Sequence, residues 1–194
     1  MTASTASRLV IDAGVVYTNI DVDALEDGSS STPVADSQAS ATLLGATRGG
    51  NTFTAGRTMR EMEADGKLGP TKGFKRRQEV AATLQTNLLE VTSENLQQAF
   101  AGSVTTTTGS FDKITGGEVS DATYINNIAL YGTYTSGSGD TDAVVVVLEN
   151  VLAVEAPDLS LSDEDEVVMP VTFGAHFDPA TPGTEPWSIY IKSA

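Results

Sequence analysis

His176 is the only histidine of the 194-residue chain, and the chain contains no cysteine. A Ser-His-Asp triad would have to use this histidine, yet it stands in an alternating strand pattern and no G-x-S-x-G motif is present. The absence of cysteine excludes disulfides, thiol catalysis and cysteine-based zinc or iron–sulfur sites. The single histidine excludes multi-histidine metal sites. We therefore expect no catalytic residues and no cofactor.

The glycine-rich and acidic segments also lack the spacing of known binding motifs. Residues 45–50 and 66–69 are rich in glycine, but neither segment ends in G-K-[ST] as a phosphate-binding loop does. Residues 163–166 are all acidic but lack the glycine and spacing of a calcium-binding EF-hand loop, so we expect no metal site. A small acidic hydrolase that uses two carboxylates remains an alternative.

Charge is distributed very unevenly along the chain. Its formal net charge is -15, which argues against binding nucleic acid by phosphate neutralisation. Residues 48–77 nevertheless contain eight of the eleven positive side chains and only three negative ones, a net of +5, so the remainder carries -20. A basic segment on an acidic body favours contact between copies, and such contacts propagate if the two surfaces lie at opposite ends. Two solvated loops would give the same pattern.

Short alternating apolar runs separated by Gly, Ser, Thr and Asp predict a mostly β protein. The predicted strand regions are 9–20, 41–62, 74–91, 124–134, 144–154, 167–177 and the segment around Trp187, Ile189 and Ile191. In the region 167–177, Met169, Val171 and Phe173 are expected to face a core, while Pro170 indicates an edge or a bulge.

One helix is predicted after the third strand region. Thr92 or Ser93 can cap its start, Leu96, Ala99 and Phe100 form an apolar stripe, and Gly102 ends it. Residues 24–40 and 105–117 are predicted to be loops because they are rich in small polar residues. No run of about 20 apolar residues is present, so we expect no membrane span, and the polar N-terminus predicts no signal peptide.

Several motifs follow one another along the chain. Residues 45–53 read G-x-T-x-G-G-x-x-F, residues 57–66 carry R-T-M-R-E-M-E-A-D-G, and Lys72-Gly73 follows. A strand over 167–177, Asp178 and Pro186-Trp187 complete the series. In this order the motifs resemble the tail tube (major tail) proteins of long-tailed double-stranded DNA viruses of bacteria or archaea. The resemblance covers roughly residues 9–192.

This resemblance implies a single domain over residues 1–194. The implied fold is a β-sandwich or barrel of the tail tube type, with one short α-helix packed on a sheet and a long inter-ring loop at about 56–73. It also implies a structural virion protein rather than an enzyme. Hexameric rings would stack into a tube, assembled in the host cytoplasm, through which the viral genome is ejected. An acidic lumen would let DNA slide without tight binding.

The implied partners are other copies of the chain, a tape measure protein, a tail terminator and a distal tail protein, with no membrane. The predicted ring-stacking residues all lie on or beside the inter-ring loop: Arg57, Arg60, Glu61, Glu63, Asp65, Lys67, Lys72, Lys75, Arg76 and Arg77. The candidate acidic counterpart consists of Asp158, Asp163, Glu164, Asp165 and Glu166.

Two other interpretations remain at this stage. The first is a binding module of related fold, such as a tail-tip or baseplate component or a β-sandwich adhesin, which does not form long tubes. The second concerns the host: few lysines and many acids also suit a protein from a high-salt environment, independently of an acidic lumen.

Overall fold

A computed structural model describes residues 8–10, 14–136, 141–155, 157–159 and 167–192. The described chain is mostly antiparallel β-structure, as predicted. The strands are β1 (Arg8–Val10), β2 (Val15–Thr18), β3 (Thr42–Leu43), β4 (Thr52–Glu61), β5 (Lys75–Leu88), β6 (Val104–Thr108), β7 (Phe111–Thr115), β8 (Ile125–Ser136), β9 (Thr141–Glu155), β10 (Met169–Ala175) and β11 (Trp187–Ile191). The helices are α1 (Val22–Glu26), α2 (Pro33–Gln38) and α3 (Ser93–Ala99), and a 3-10 turn covers Asp121–Thr123.

One large sheet has the strand order β3-β2-β8-β9-β10-β5-β4. β1 also pairs with β8. β11 pairs with residues 144–148 of β9, and β10 pairs with residues 151–155 of the same strand. Between these two stretches Asn150 adopts a positive φ of 49°, where β9 changes partner from β11 to β10. β6 and β7 form a separate two-stranded sheet.

The main core lies on one face of the large sheet. Val16, Leu84, Ile128, Leu148 and Phe173, all fully buried, come from β2, β5, β8, β9 and β10 and belong to a single cluster. Strands so distant in the sheet order contribute to one cluster only if the sheet curves around it. As predicted, Met169, Val171 and Phe173 of β10 are core residues.

The opposite face of β8 and β9 carries a second cluster, with Tyr131 and Val145 among its buried residues. The short helices α1 and α2 cover it, and the Ser37 hydroxyl lies 2.8 Å from the Tyr131 hydroxyl. The predicted loop over 24–40 is therefore wrong. Here the Ala24 amide donates a capping hydrogen bond to the Asp21 carboxylate, and this cap together with packing on the sheet overrides a polar composition.

Three further expectations need correction. The single predicted α-helix exists as α3, where the Thr92 hydroxyl accepts a bond from the Asn95 amide, but α1 and α2 accompany it. The predicted loop over 105–117 is largely the β6–β7 hairpin, because β-branched threonines favour strands. Pro170 lies on an interior strand rather than an edge, although a register shift follows at Thr172/Phe173, consistent with the predicted bulge.

The inter-ring loop expected at about 56–73 is shorter than predicted. β4 continues to Glu61 and β5 begins at Lys75, so the irregular part covers only residues 62–74. The two strands stay paired through the basic residues, with one register shift between Thr58 and Met59, because cross-strand backbone bonds do not depend on side-chain charge.

Candidate assembly surface

The outer half of the β4–β5 hairpin projects from the body of the protein. β5 pairs with β10 only from Thr83 to Leu88, whereas it pairs with β4 from Lys75 to Gln85. Every residue of β4 from Thr54 to Arg60 is exposed, as is every residue of β5 from Lys75 to Glu79. We call residues 56–79 the hairpin arm. Because β4 is also the last strand of the sheet, its outer edge carries no neighbour in the described structure.

A carboxylate fixes the base of the hairpin arm to the body. Glu185 accepts hydrogen bonds from Arg57 of β4 at 2.8 Å and from Arg77 of β5 at 2.6 Å. The Arg57 guanidinium also lies over the Trp187 ring, 5.8 Å from its centroid. The hydrogen bond from Arg57, supported by Arg77, lowers the pKa of Glu185 below the ordinary glutamate value. Both strands of the arm are therefore bound to the segment that leads into β11.

The tip of the hairpin arm is closed by its own contacts. The Met62 amide donates to the Phe74 carbonyl at 2.9 Å. Lys67 forms an ion pair with Glu61, and its ammonium lies 5.6 Å from the centre of the Phe74 ring. The hydrogen bond from Lys67 lowers the pKa of Glu61. The tip is therefore a defined turn rather than an open loop.

The structure brings the predicted basic interface residues together on the hairpin arm and its tip, but it divides them into two groups. Arg57, Arg77 and Lys67 already have carboxylate partners within the chain. Arg60 and Arg76, in contrast, stand directly opposite each other across the two strands and make no ion pair with any residue that the structure describes. Like charges directly opposite on a hairpin are destabilising. This pair is thus unfavourable in an isolated subunit.

The remaining predicted residues surround this pair. Lys75 lies opposite Glu61, and its charge contributes to lowering the pKa of that carboxyl. Lys72, Glu63 and Asp65 are exposed in the tip segment. The role of all ten residues in ring stacking stays a prediction.

The strand registers place Glu155, at the end of β9, at the other end of the sheet from the hairpin arm. Thr83 of β5 and Leu152 of β9 both lie opposite Gly174 of β10. β5 and β9 are each antiparallel to β10, so they run in the same direction. From this common level, Lys75 lies towards the start of the strands and Glu155 towards their end, roughly 36 Å apart at about 3.3 Å per residue.

Asp158, the first residue of the predicted acidic counterpart, comes three residues after Glu155 and lines the same cleft. The other four, Asp163, Glu164, Asp165 and Glu166, lie outside the described residues. Sequence reasoning missed Glu185 because its two arginine partners are more than 100 residues away, and no local signal marks it. It also missed Leu68, although a leucine between a lysine and a Gly-Pro turn is an unusual choice for a solvated tip.

His176 lies apart from this surface. Its Nδ1 is 3.1 Å from the Asn150 carbonyl oxygen, and its ring meets Tyr124 edge-on at 5.2 Å. Within the described ranges, no group of three or more His, Asp or Glu side chains could hold a metal ion. No helix in the described part of the chain is long and apolar enough to cross a membrane.

No protein-family model and no curated protein sequence matches this chain. Among solved structures, it is similar to a chain of the virion of a native gene transfer agent particle, with a TM-score of 0.43 and 8% identity over 86% of this chain and 92% of that one. It is also similar to Hcp protein, with a TM-score of 0.34 and 8% identity over 82% and 86% of the two chains. Neither likeness transfers a functional residue to this chain.

Proposed function

We propose that this protein is a structural subunit of a virion tail tube, and that copies associate head to tail along the strand direction. The observation that carries the proposal is that Arg60 and Arg76, which form no ion pair with a described residue, face each other on the projecting arm, while Glu155 and Asp158 lie at the opposite end of the strands. A surface of one kind that matches a different surface on the same chain gives a heterologous contact, which repeats into a stack. Charge pairs at such a contact set its register and specificity.

The free edge of β4 supports association within a ring. An exposed edge strand of ten residues offers unpaired backbone groups to another chain, and pairing or closure is the usual way to remove this liability. The sequence resemblance supplies the finer elements of the proposal: one domain over the chain, six subunits per ring, assembly in the host cytoplasm and ejection of the genome through the tube. Tape measure, terminator and distal tail proteins are the partners it implies.

A second candidate is a ligand-binding module of related fold, which one observation favours. A groove of about 740 Å³ lies between the α1–α2 pair, the start of β9 and the end of β11. Its lining includes Leu25, Val34, Tyr190 and the half-exposed Ile189 and Ile191. Grooves of this size and apolar character are common ligand sites. This candidate predicts a monomer or small closed oligomer that binds a small molecule or peptide.

Negative-stain electron microscopy of the purified chain over a salt and concentration series, with light-scattering mass, separates the two candidates. Rings or hollow tubes that grow with concentration are expected for the tail tube subunit. A particle that stays monomeric at every concentration and salt would contradict the proposal and favour the binding module. Because exposed charges are screened by salt, stacking should weaken as salt increases, and a high-salt requirement for folding itself would appear as the opposite trend in circular dichroism.

A further inference from the structure

Leu68 is a fully exposed large apolar side chain at the end of the hairpin arm. The residue before it, Lys67, is fixed by Glu61 and Phe74, and the Thr71 hydroxyl bonds to the Gly69 carbonyl 3.1 Å away. Leu68 is therefore presented on an ordered turn, with Lys67 directly before it, Lys72 four residues after it, and the exposed acids Glu63 and Asp65 earlier in the same tip segment. Because removing apolar surface from water is favourable, burial of this side chain against another chain would stabilise a contact, and Leu68 is a candidate interface anchor.

An apolar groove lies at the far end of the sheet, between α3, β7 and the end of β9. It has a volume of about 510 Å³, and its lining includes Leu96, Phe100, Ile114, Val154 and Leu159. Val154 and Leu159 are about half exposed. We call this the α3–β9 groove. It is large enough to receive one leucine side chain.

Carboxylates stand directly beside this groove. Glu155 lines both the α3–β9 groove and a neighbouring polar cleft of about 290 Å³, which Asp158 also lines. The Thr172 hydroxyl donates to Glu155 at 2.8 Å and holds its carboxylate in place. An exposed leucine between Lys67 and Lys72 is thus matched by an apolar groove that has Glu155 in its lining and Asp158 in the adjoining cleft.

We propose that Leu68 of one copy inserts into the α3–β9 groove of the next copy, with the basic residues around the tip facing Glu155 and Asp158. This inference rests on the proposed function for the identity of the partner as a second copy. The tip and the groove lie at opposite ends of the parallel strands β5 and β9, so neither can reach the other within one chain. The same contact can therefore repeat without limit along one direction.

The other large groove does not fit this geometry. It is lined by Asp142, Val145, Ile189 and Ile191, and Ile191 pairs with Val144 at the start of β9. That start lies at the same end of the strands as Lys75 and the tip. A head-to-tail stack would leave this groove away from the arm of the neighbouring copy.

The anchor is tested by Leu68→Asp, with Phe111→Asp as the matched control. Both residues are exposed at hairpin turns, and both changes add one negative charge, but Phe111 belongs to the β6–β7 hairpin. We expect Leu68→Asp to raise the protein concentration needed for assembly at least about tenfold, as loss of an interface anchor does. Phe111→Asp should leave it unchanged. Unaltered assembly of Leu68→Asp, with its thermal unfolding intact, would contradict the inference.

The groove is tested by cross-linking, because the natural chain has no cysteine and gives no background. Gly69 accepts a side chain, since an added Cβ would meet no atom within 4 Å and its φ is not positive. Gly69→Cys is combined either with Leu159→Cys in the α3–β9 groove or with Ser31→Cys in the other groove. Mild oxidation should give a ladder of disulfide-linked oligomers only with Leu159→Cys.

The outcomes separate the inference from the proposed function. Tubes that form but give a ladder only through Ser31→Cys, or through neither position, would overturn the α3–β9 groove as acceptor and leave the tail tube function standing. A chain that forms neither ladder nor particle at any concentration would contradict both. Single-cysteine variants can link at most two copies, and they measure how much disulfide forms by chance collision in solution.

Discussion

Two hairpins leave the body of this protein, and they differ in how they are held. The β4–β5 arm continues the large sheet, because β5 is also paired with β10, and Glu185 binds both of its strands. The β6–β7 hairpin forms a sheet of its own and has its packing partners mainly in α3. Both are exposed, yet only the arm is tied to the core and only the arm carries a concentration of basic residues. Exposure alone therefore does not mark an assembly surface. A better indicator of an assembly surface is an exposed element that the core holds in place although its own charges repel one another.

The largest expected effect concerns the connection of the arm to the core. Phe173→Ala removes a fully buried ring from β10, the strand that holds β5, and we expect the free energy of unfolding to fall by about 3–5 kcal/mol. Phe111→Ala on the exposed β6–β7 hairpin should change it by less than about 0.5 kcal/mol. Urea denaturation followed by circular dichroism measures both. Equal losses would show that the two hairpins do not differ in their attachment to the core.

Charge reversal on the arm should move assembly and stability in opposite directions. Arg76→Glu replaces repulsion across the strands with attraction to Arg60, so the isolated subunit should gain about 0.2–1 kcal/mol. The same change removes a positive charge from the stacking surface, and assembly should need about tenfold more protein. Lys113→Glu on β7 has the same change in net charge and should affect neither. A variant that loses both stability and assembly would indicate a purely structural role for Arg76.

Removing the Glu185 carboxylate, which binds Arg57 and Arg77 at the base of the arm, should loosen the arm without unfolding the body. Glu185→Gln keeps the size of the side chain but deprives Arg57 and Arg77 of a charged acceptor. Hydrogen exchange of the backbone amides of residues 75–79 should become several-fold faster, while β10 and the β6–β7 hairpin stay unchanged. Unaltered exchange in the arm would mean that strand pairing alone holds it.

The smallest expected effect is a pH dependence of the contact between Glu185 and the two arginines of the arm. The pKa of Glu185 is lowered in the folded protein, so its contribution is complete above the ordinary value of 4.5 and is lost as the pH falls through the lower folded value. Trp187, the single tryptophan, lies beneath Arg57 and reports the change by fluorescence. As the pH falls below 4.5 the wild-type signal should change before global unfolding, and Glu185→Gln should lack this step. An identical step in the variant would assign it to another group.

The sequence was a good guide wherever structure follows from periodicity. The alternation in 167–177 identified Met169, Val171 and Phe173 as core residues, and the cap at Thr92 located α3. Composition misled for residues 24–40 and 105–117. Polar helices α1 and α2 and the threonine-rich β6–β7 hairpin are stabilised by capping, packing and cross-strand bonds that composition does not contain. The basic residues of the arm were found from charge alone, but their division into paired and unpaired members was not.

What the amino-acid sequence determined by itself is the mostly β architecture, the segregation of positive charge into residues 48–77 and the lack of any thiol or multi-histidine chemistry. Tertiary structure alone decided that Glu185 binds Arg57 and Arg77, that Arg60 faces Arg76, and that the tip and the acidic end of β9 lie at opposite ends. The physical reason is the range of each effect. Propensity, alternation and charge counts are local sums along the chain, whereas strand register and the pairing of distant charges exist only once the sheet has formed.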